Sequence, residues 1–450
     1  MSQGYLLGLA AMAIAVLLVL VIRFKLSAFV ALLLVATGTA LAGGLPLDRI
    51  IPTLTEGMGR TLGSVAIIVG LGAMLGKMIE ESGGAERLAA AFTQRLGVKR
   101  VIAAVTAAAF VLGIPVFFDV GFIILAPIVF GFAKVANINP LKVGLPVGAA
   151  LLAVHVSVPP HPGPVAAAAT IGSDVGLMTM LGIVACIPVA VVGYFITKVM
   201  KLDAVELLPS PASQSQRGSV EEIVTRPGPG AGTVLTLILV PLGLIMVGTT
   251  GALLVESGSI QSRLLSFIGA PVFALMVGVM LAFFMVGIRM KWDLARRSSV
   301  LDSALDGVAI IIFVTGAGGV FANVLVETGV GTAMSDLLTG LGMPILLMGY
   351  VIALALRAAQ GSATVAILTT AGLVVAGVQV AGYSPVQMVL ITLAIAFGGM
   401  GLSHINDSGF WIVTRYLGLS VANGLKFWTL LTTICSVVGF AVVSLLWLVV

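Results

Sequence analysis

The chain has 450 residues, of which 59% are hydrophobic and only 9% are charged. Soluble domains carry about 25% charged residues, so a soluble protein is excluded and the chain reads as a polytopic membrane protein. The net charge of +5 is spread over loops, which does not suggest nucleic-acid binding and matches the basic bias of cytoplasmic loops.

Apolar runs long enough to cross a bilayer, about 17–25 residues each, are predicted near 4–22, 26–44, 61–79, 101–134, 141–165, 176–198, 232–250, 269–288, 305–325, 343–378, 387–412 and 427–449. The first lacks the charged leader of a signal peptide and is followed by Arg23 and Lys25, so a retained span is expected. The runs 101–134 and 343–378 are too long for one pass and are interrupted at Pro115–Gly121 and Arg357–Gly361. They read either as hairpins that enter and leave on one side or as two full spans each. The stretch 201–231, rich in Ser, Pro, Gly and Glu, reads as a loop joining two halves, and 252–268 as an external loop. Cys186 and Cys435 lie in separate apolar runs and give neither a disulfide framework nor a metal site.

Two apolar runs are broken by polar sequence. Ser157-Val158-Pro159-Pro160-His161-Pro162-Gly163-Pro164 cannot continue a helix, because each proline lacks an N–H and clashes with the preceding turn. In lipid such a break is tolerated only against protein or a water-filled cavity. Ser403-His404-Ile405-Asn406-Asp407-Ser408-Gly409 is its partner, with serine and glycine recurring at a separation of 246 residues. The same separation relates Gly70-Leu71-Gly72-Ala73 to Gly316-Ala317-Gly318-Gly319, and Glu81-Ser82-Gly83 to Glu327-Thr328-Gly329.

Charge orients the copies. Loop 77–100 carries Lys77, Arg87, Arg95, Lys99 and Arg100, whereas 323–346 has no Lys or Arg. Loop 45–60 has Arg49 and Arg60 offset by Asp48 and Glu56, against Arg289, Lys291, Arg296 and Arg297 in its counterpart. The stretch 167–185 has none, against Arg415 and Lys426. Cytoplasmic loops collect the basic residues, so equivalent loops are expected on opposite faces. The fold class that follows is all-α polytopic, with two inverted-topology repeats, re-entrant hairpins and broken transmembrane helices. The expected organisation is an extra N-terminal helix (1–25), a first repeat (26–200), a central loop and connecting helix (201–268) and a second repeat (269–450), with both termini outside, ten crossings and two hairpins.

Gly72-Ala73-Met74-Leu75-Gly76-Lys77, Pro159-Pro160-His161-Pro162-Gly163-Pro164, Gly361-Ser362-Ala363-Thr364-Val365-Ala366 and Ser403-His404-Ile405-Asn406-Asp407-Ser408-Gly409-Phe410-Trp411 resemble the gluconate permease (gluconate:proton symporter) family, in order and over nearly the whole chain. Segments 201–231 and 252–268 are the least family-like. The resemblance places the chain in the broader ion transporter superfamily and implies inverted repeats, two re-entrant hairpins, two unwound helices and a homodimer. It implies proton-coupled uptake across a bacterial inner membrane of gluconate, another sugar acid such as fructuronate or idonate, or D-serine.

Arg357, inside Leu354-Ala355-Leu356-Arg357-Ala358-Ala359-Gln360, is the sharpest single residue. A charge at the bilayer centre costs about 2.5–3.5 kcal/mol even on the mild insertion scale, and a planar guanidinium fork suits a carboxylate. It either binds the substrate carboxylate, pairs permanently with Asp119 or Asp407, or lies at the membrane interface. Gly361, Ser362 and Thr364 form a small, polar hairpin tip whose backbone N–H groups and following helix N-terminus suit an anion; the plain alternative is close helix packing. Asp119, in the apolar tip Pro115-Val116-Phe117-Phe118-Asp119, is a candidate proton-coupling group or a partner of Arg357. Asn406 and Asp407 could meet substrate hydroxyls, and Asp407 could also take a proton. His161 is a substrate-contact and proton-carrier candidate, ahead of His404 and His155; each is otherwise a helix-to-helix hydrogen bonder. Ser157 and Ser403 either line the site or satisfy loose carbonyls. Glu81 and Glu327 read as helix-end residues.

The reading is a secondary active transporter, a proton symporter of gluconate or a related sugar acid working by alternating access, with no cofactor and no metal. The alternatives are symport of another small carboxylate (D-serine, hexuronate, citrate-like) or sodium coupling. An enzyme is disfavoured because neither His-Glu-x-x-His nor Gly-x-Ser-x-Gly occurs, and a primary pump because no Gly-x-x-x-x-Gly-Lys-Ser/Thr occurs. A passive channel would not need two inequivalent breaks.

Overall fold

The computed structural model describes residues 1–96, 100–214, 228–256, 258–330, 333, 344–405 and 407–450. Every regular element among them is helical. The N-terminal pair is α1 (Gln3–Leu18, running into a π turn at Val19–Arg23) and α2 (Ala28–Ala42). Then come α3 (Leu47–Glu81), α4 (Gly84–Leu96), α5 (Val101–Leu112), α6 (Phe118–Ala136), α7 (Leu141–Ser157), α8 (Pro162–Ile171) and α9 (Val175–Val199). Past the connector follow α10 (Ala231–Leu254), α11 (Ile260–Gly269), α12 (Pro271–Arg289), α13 (Leu294–Glu327), α14 (Ile345–Gln360), α15 (Ala363–Ala381), α16 (Pro385–Gly398) and α17 (Ser408–Leu417). A turn at Val421–Asn423 and a π segment at Gly424–Thr429 lead into α18 (Leu430–Trp447). Among the described residues, eight helical stretches are long and apolar enough to cross a membrane.

Local chemistry sets where these helices stop. α3 and α13 end on Glu81 and Glu327, and each is followed by a left-handed glycine, Gly83 (φ 70°) and Gly329 (φ 73°), a conformation that glycine adopts without steric cost. α8 and α17 stop at left-handed Gly172 and Gly418. Asp174 and Ser420, again 246 residues apart, cap the next helices by accepting from the N–H groups of Leu177 and Asn423. The order α3, α5 to α9 thus recurs as α13 to α18 at the separation seen in the sequence, while the residues equivalent to α4 lie largely outside the described ones.

Packing is reciprocal. α3 lies along α13; α3 also packs on α12, and α13 on α2. Water does not drive apolar helices together in a bilayer, so close backbone approach matters more. A Cβ on Gly57 would stand 2.9 Å from the Gly319 carbonyl oxygen and from Val320 Cα, so Gly57 lets α3 and α13 touch. α5 packs on α7 and α14 on α16, while α8 packs on α15 and α17 on α6, which braids the halves together.

Three polar stretches are more ordered than the sequence suggests. Residues 45–60 belong largely to α3. The stretch 77–100 contains α4, which buries Ala85, Leu88 and Ala89 on one face at helical spacing. The stretch 252–268 contains most of α11, with Ile260, Leu264 and Phe267 exposed. The connector's first part is pinned: the Leu208 N–H donates to the Gly418 carbonyl at 2.7 Å, and Asn139 Nδ2 to the Leu202 carbonyl at 2.8 Å. Residues 215–227 of that loop lie outside the described residues.

Candidate functional site

Both interruptions fall where the sequence places them. α7 ends at Ser157 and α8 begins at Pro162; between them the Pro159–Pro160 peptide is cis. α16 ends at Gly398 and α17 begins at Ser408. The two hairpin interruptions, α5 to α6 and α14 to α15, leave their tips at 113–117 and 361–362.

A cavity of about 490 Å³ opens between these four breaks. Its wall takes Phe117, Phe118 and Asp119 from the first tip, and Ser362, Ala363 and Thr364 from the second. Arg357, Asp407, Ser408 and Gly409 come from the second half's interrupted helices, His155 and Pro162 from the first half's. Lys77 and Glu80 on α3 and Ser303 on α13 close it. The helices α6, α8, α15 and α17 all present their N-terminal ends to the space. A helix N-terminus carries about half a positive charge and donors with no intrahelical acceptor, although Pro162 and Pro164 remove two donors from α8.

Arg357 is 2% exposed and holds the second half of the site together. Its backbone carbonyl accepts from the Gly361 N–H at 2.9 Å, and its guanidinium donates back to the Gly361 carbonyl. Gly361 sits at φ 87°, which turns that carbonyl toward the guanidinium. A second guanidinium nitrogen pairs with Asp407 Oδ2. Arg357 Nε is buried and has no hydrogen-bond partner among the described residues.

Asp407 is the N-cap of α17. Its Oδ1 accepts from the Gly409 N–H at 3.0 Å, and its Oδ2 accepts from Arg357 and from the Ser403 hydroxyl. Ser403 in turn accepts from Trp428 Nε1 at 2.8 Å. Of the alternatives for Arg357, the internal pairing is present, with Asp407 rather than Asp119. Asp119 faces the same cavity from the opposite tip.

The remaining expectations divide. Ser362 caps α15 by accepting from the Val365 N–H at 3.3 Å, and it and Thr364 line the cavity. Gly361, Ser157, His161 and Ser403 do not line it. Gly361 shapes the tip. The Ser157 hydroxyl donates to the Ala153 carbonyl at 2.6 Å and meets Cys186 Sγ at 2.9 Å, so it satisfies its own helix. Ser403 and His161 stand one layer behind the wall, each supporting a residue that does line it. His404 Nε2 lies 2.8 Å from the Ala358 carbonyl, a contact from the break to α14 rather than from helix to helix. Asn406 lies outside the described residues.

The sequence reading missed Lys77, Glu80 and the weight due to His155. Lys77 Nζ pairs with Glu80 at 3.1 Å and Glu81 at 3.0 Å. Lys77 reads in the sequence as one of the basic residues of loop 77–100 and Glu81 as a helix-end residue, and nothing local says that α3 passes the cavity there. No cluster of three or more His, Cys, Asp or Glu with metal-ligand geometry occurs among the described residues.

A largely apolar cavity that gathers a few charged side chains at four interrupted segments, among helices apolar enough to cross a membrane, defines a membrane transporter rather than an enzyme. The GntP family permease profile matches residues 5–450, and the chain belongs to that family; it is a multi-pass protein of the inner membrane. It is 52% identical to the inner membrane permease YgbN of Escherichia coli (strain K12), over 100% of both chains. It is 36% identical to the gluconate permease of Bacillus subtilis (strain 168), covering 98% of this chain and 99% of that one. It is 34% identical to the Gnt-II system L-idonate transporter of Escherichia coli (strain K12), covering 95% of each. The fold is similar to that of the Alcanivorax borkumensis YdaH transporter, with a TM-score of 0.64 at 14% identity over 93% of this chain and 96% of that one.

Proposed function

We propose that this chain carries gluconate or a closely related sugar acid inward with protons, by alternating access between two inverted repeats. One observation carries the reading: a buried guanidinium whose Nε–H has no partner among the described residues stands at a cavity ringed by helix N-termini. An arginine fork recognises carboxylate through paired donors. Ser362, Thr364 and Ser408 supply hydroxyl and backbone partners for a polyhydroxylated chain, with Asn406 two residues before Ser408 in sequence. The relatives named for gluconate and L-idonate support the substrate class.

Charge supports the coupling. Among the described residues the lining holds two cations, Lys77 and Arg357, against three carboxyl groups, Glu80, Asp119 and Asp407. A carboxylate entering that set adds a negative charge that a proton on Asp119 or Asp407 offsets. The substrate carboxylate also competes with Asp407 for Arg357, which frees Asp407 to take the proton. The recurrence of elements at one separation, together with the opposed loop charges, supports inversion; a homodimer of such units is what the family resemblance implies.

Purified protein in liposomes should accumulate labelled gluconate when the outside is made acidic, and a protonophore should abolish it. One proton per monoanion moves no net charge, so the pH gradient alone drives it. A second proton would add about 2.3 kcal/mol per 100 mV of potential. Accumulation that follows a sodium gradient at uniform pH would refute proton coupling. A competition panel of idonate, hexuronates, D-serine and citrate ranks the substrates.

A further inference from the structure

His155 and His161 form a relay behind one wall of the cavity. Their Nδ1 atoms stand 3.2 Å apart, and His161 Nε2 stands 2.6 Å from the Gly113 carbonyl at the base of the first hairpin tip. A carbonyl can only accept, so His161 Nε2 carries a hydrogen. In the neutral ring its Nδ1 is then bare and accepts. The hydrogen between the two Nδ1 atoms therefore belongs to His155. That fixes His155 as the Nδ1–H tautomer and leaves its Nε2 as a lone-pair acceptor.

His161 is buried, whereas His155 is half-buried and lines the cavity. The nitrogen opposite the relay makes no hydrogen bond among the described residues. The rings of Phe117 and Phe118 pack at 6.2 and 6.4 Å from the His155 ring, and Phe117 also at 5.6 Å from His161, so neither imidazole can turn freely.

Elsewhere in the lining, helix N-termini, Arg357 and Lys77 favour a carboxylate, while Glu80, Asp119 and Asp407 disfavour one unless protonated or paired. A fixed neutral acceptor repels a carboxylate lone pair and takes a hydrogen from an uncharged hydroxyl.

We infer that His155 Nε2 reads a hydroxyl of the substrate, and that His161 and the Gly113 carbonyl are positioning groups that hold His155 in the accepting tautomer. The inference rests on the sugar-acid reading of the cavity for its substrate class, but the tautomer assignment does not. The substrate hydroxyl donates to Nε2 while its carboxylate lies toward Arg357 across the cavity. Acids without a hydroxyl at the matching carbon leave Nε2 unpaired, and a buried polar group left unpaired is what gives hydroxyl-reading sites their discrimination.

The chain has three histidines, so ¹⁵N-histidine labelling in nanodiscs gives three assignable rings, with His404→Gln and His155→Gln fixing the assignment. The expected spectrum shows His155 as Nδ1–H and His161 as Nε2–H. His155 as Nε2–H, or either ring as a cation in the empty protein at neutral pH, overturns the relay. In transport, His155→Leu should raise KM for gluconate about tenfold with kcat nearly unchanged. One monodeoxygluconate of the series should be carried equally well by wild type and variant, and this pairing identifies the hydroxyl. His161→Phe should weaken the same discrimination, and His161→Gln, which can still donate to Gly113, should recover part of it. A uniform loss across the deoxy series overturns the hydroxyl-reading role. So does loss of pH-driven accumulation with gluconate exchange kept, which would make the pair a proton carrier. A wild type that binds no aldonate while the tautomers are as stated would sink the sugar-acid reading and leave the relay standing.

Discussion

Asp407 reaches the Arg357 guanidinium from 50 residues further along the chain and shares the same oxygen with Ser403. The pair is buried, at 2% and 5% exposure, and it ties the end of α14 to the start of α17. Breaking such a pair from one side costs about 3–5 kcal/mol, because the remaining charge is left uncompensated. Asp407→Ala should therefore lower the melting temperature in detergent more than the double variant Arg357→Ala/Asp407→Ala does. Arg357→Ala should abolish uptake with the protein still in the membrane. Normal uptake by that variant would remove Arg357 from the substrate site.

The second hairpin tip separates binding from stability. Ser362→Ala removes a helix cap worth about 1 kcal/mol, so it should show first as a lower melting temperature. Thr364→Val keeps shape but loses a hydroxyl at the cavity. A net hydrogen bond is worth about 0.5–1.5 kcal/mol, so KM for gluconate should rise about 3- to 10-fold with kcat little changed. An unchanged KM would make the tip a packing device.

Glycines on α3 should respond in opposite directions. A Cβ at Gly76 would run into the Pro115 backbone at the first hairpin tip, whereas one at Gly59 would meet nothing within 4 Å. Gly59→Ala should stabilise by about 0.5–1 kcal/mol through helix propensity alone. Gly76→Ala should lower both the melting temperature and the transport rate. Thermal unfolding of the two variants side by side checks this.

Inversion of the repeats has a direct chemical test. Asp48 and Leu294, 246 residues apart, are exposed near the starts of α3 and α13. Both native cysteines are buried, so background labelling should be low. Asp48→Cys and Leu294→Cys should react with a membrane-impermeant maleimide from opposite faces. Labelling from one face would end the inverted reading.

The sequence carries the fold largely through its interruptions. Proline at 159, 160, 162 and 164 and glycine at 361 and 409 mark breaks that local chemistry alone dictates, and the recurring separation links them. The same logic misread 77–100 and 252–268, where charge obscured an amphipathic period. The site was less legible. Arg357 and Asp407 stand out because a lone charge in an apolar run demands a reason. His155 does not, since a histidine inside a helix gives no sign of which neighbour it meets. Its role depends on a carbonyl 42 positions earlier, at Gly113. Ser157 ends α7 and Ser403 lies within the second break, which made both site candidates, yet the first bonds its own helix and the second braces Asp407 from behind the wall.

Trp428 is fully buried, stacks on Phe118 at 6.1 Å and donates to Ser403. Its indole therefore leans on one cavity wall with its ring and, through Ser403, on the anchor of Arg357 with its nitrogen. The chain has four tryptophans, and replacing Trp292, Trp411 and Trp447 with phenylalanine would leave this one as the sole emitter. Its fluorescence then becomes a label-free gauge of occupancy, able to follow ligand titrations and the kinetics of closure in a single cuvette.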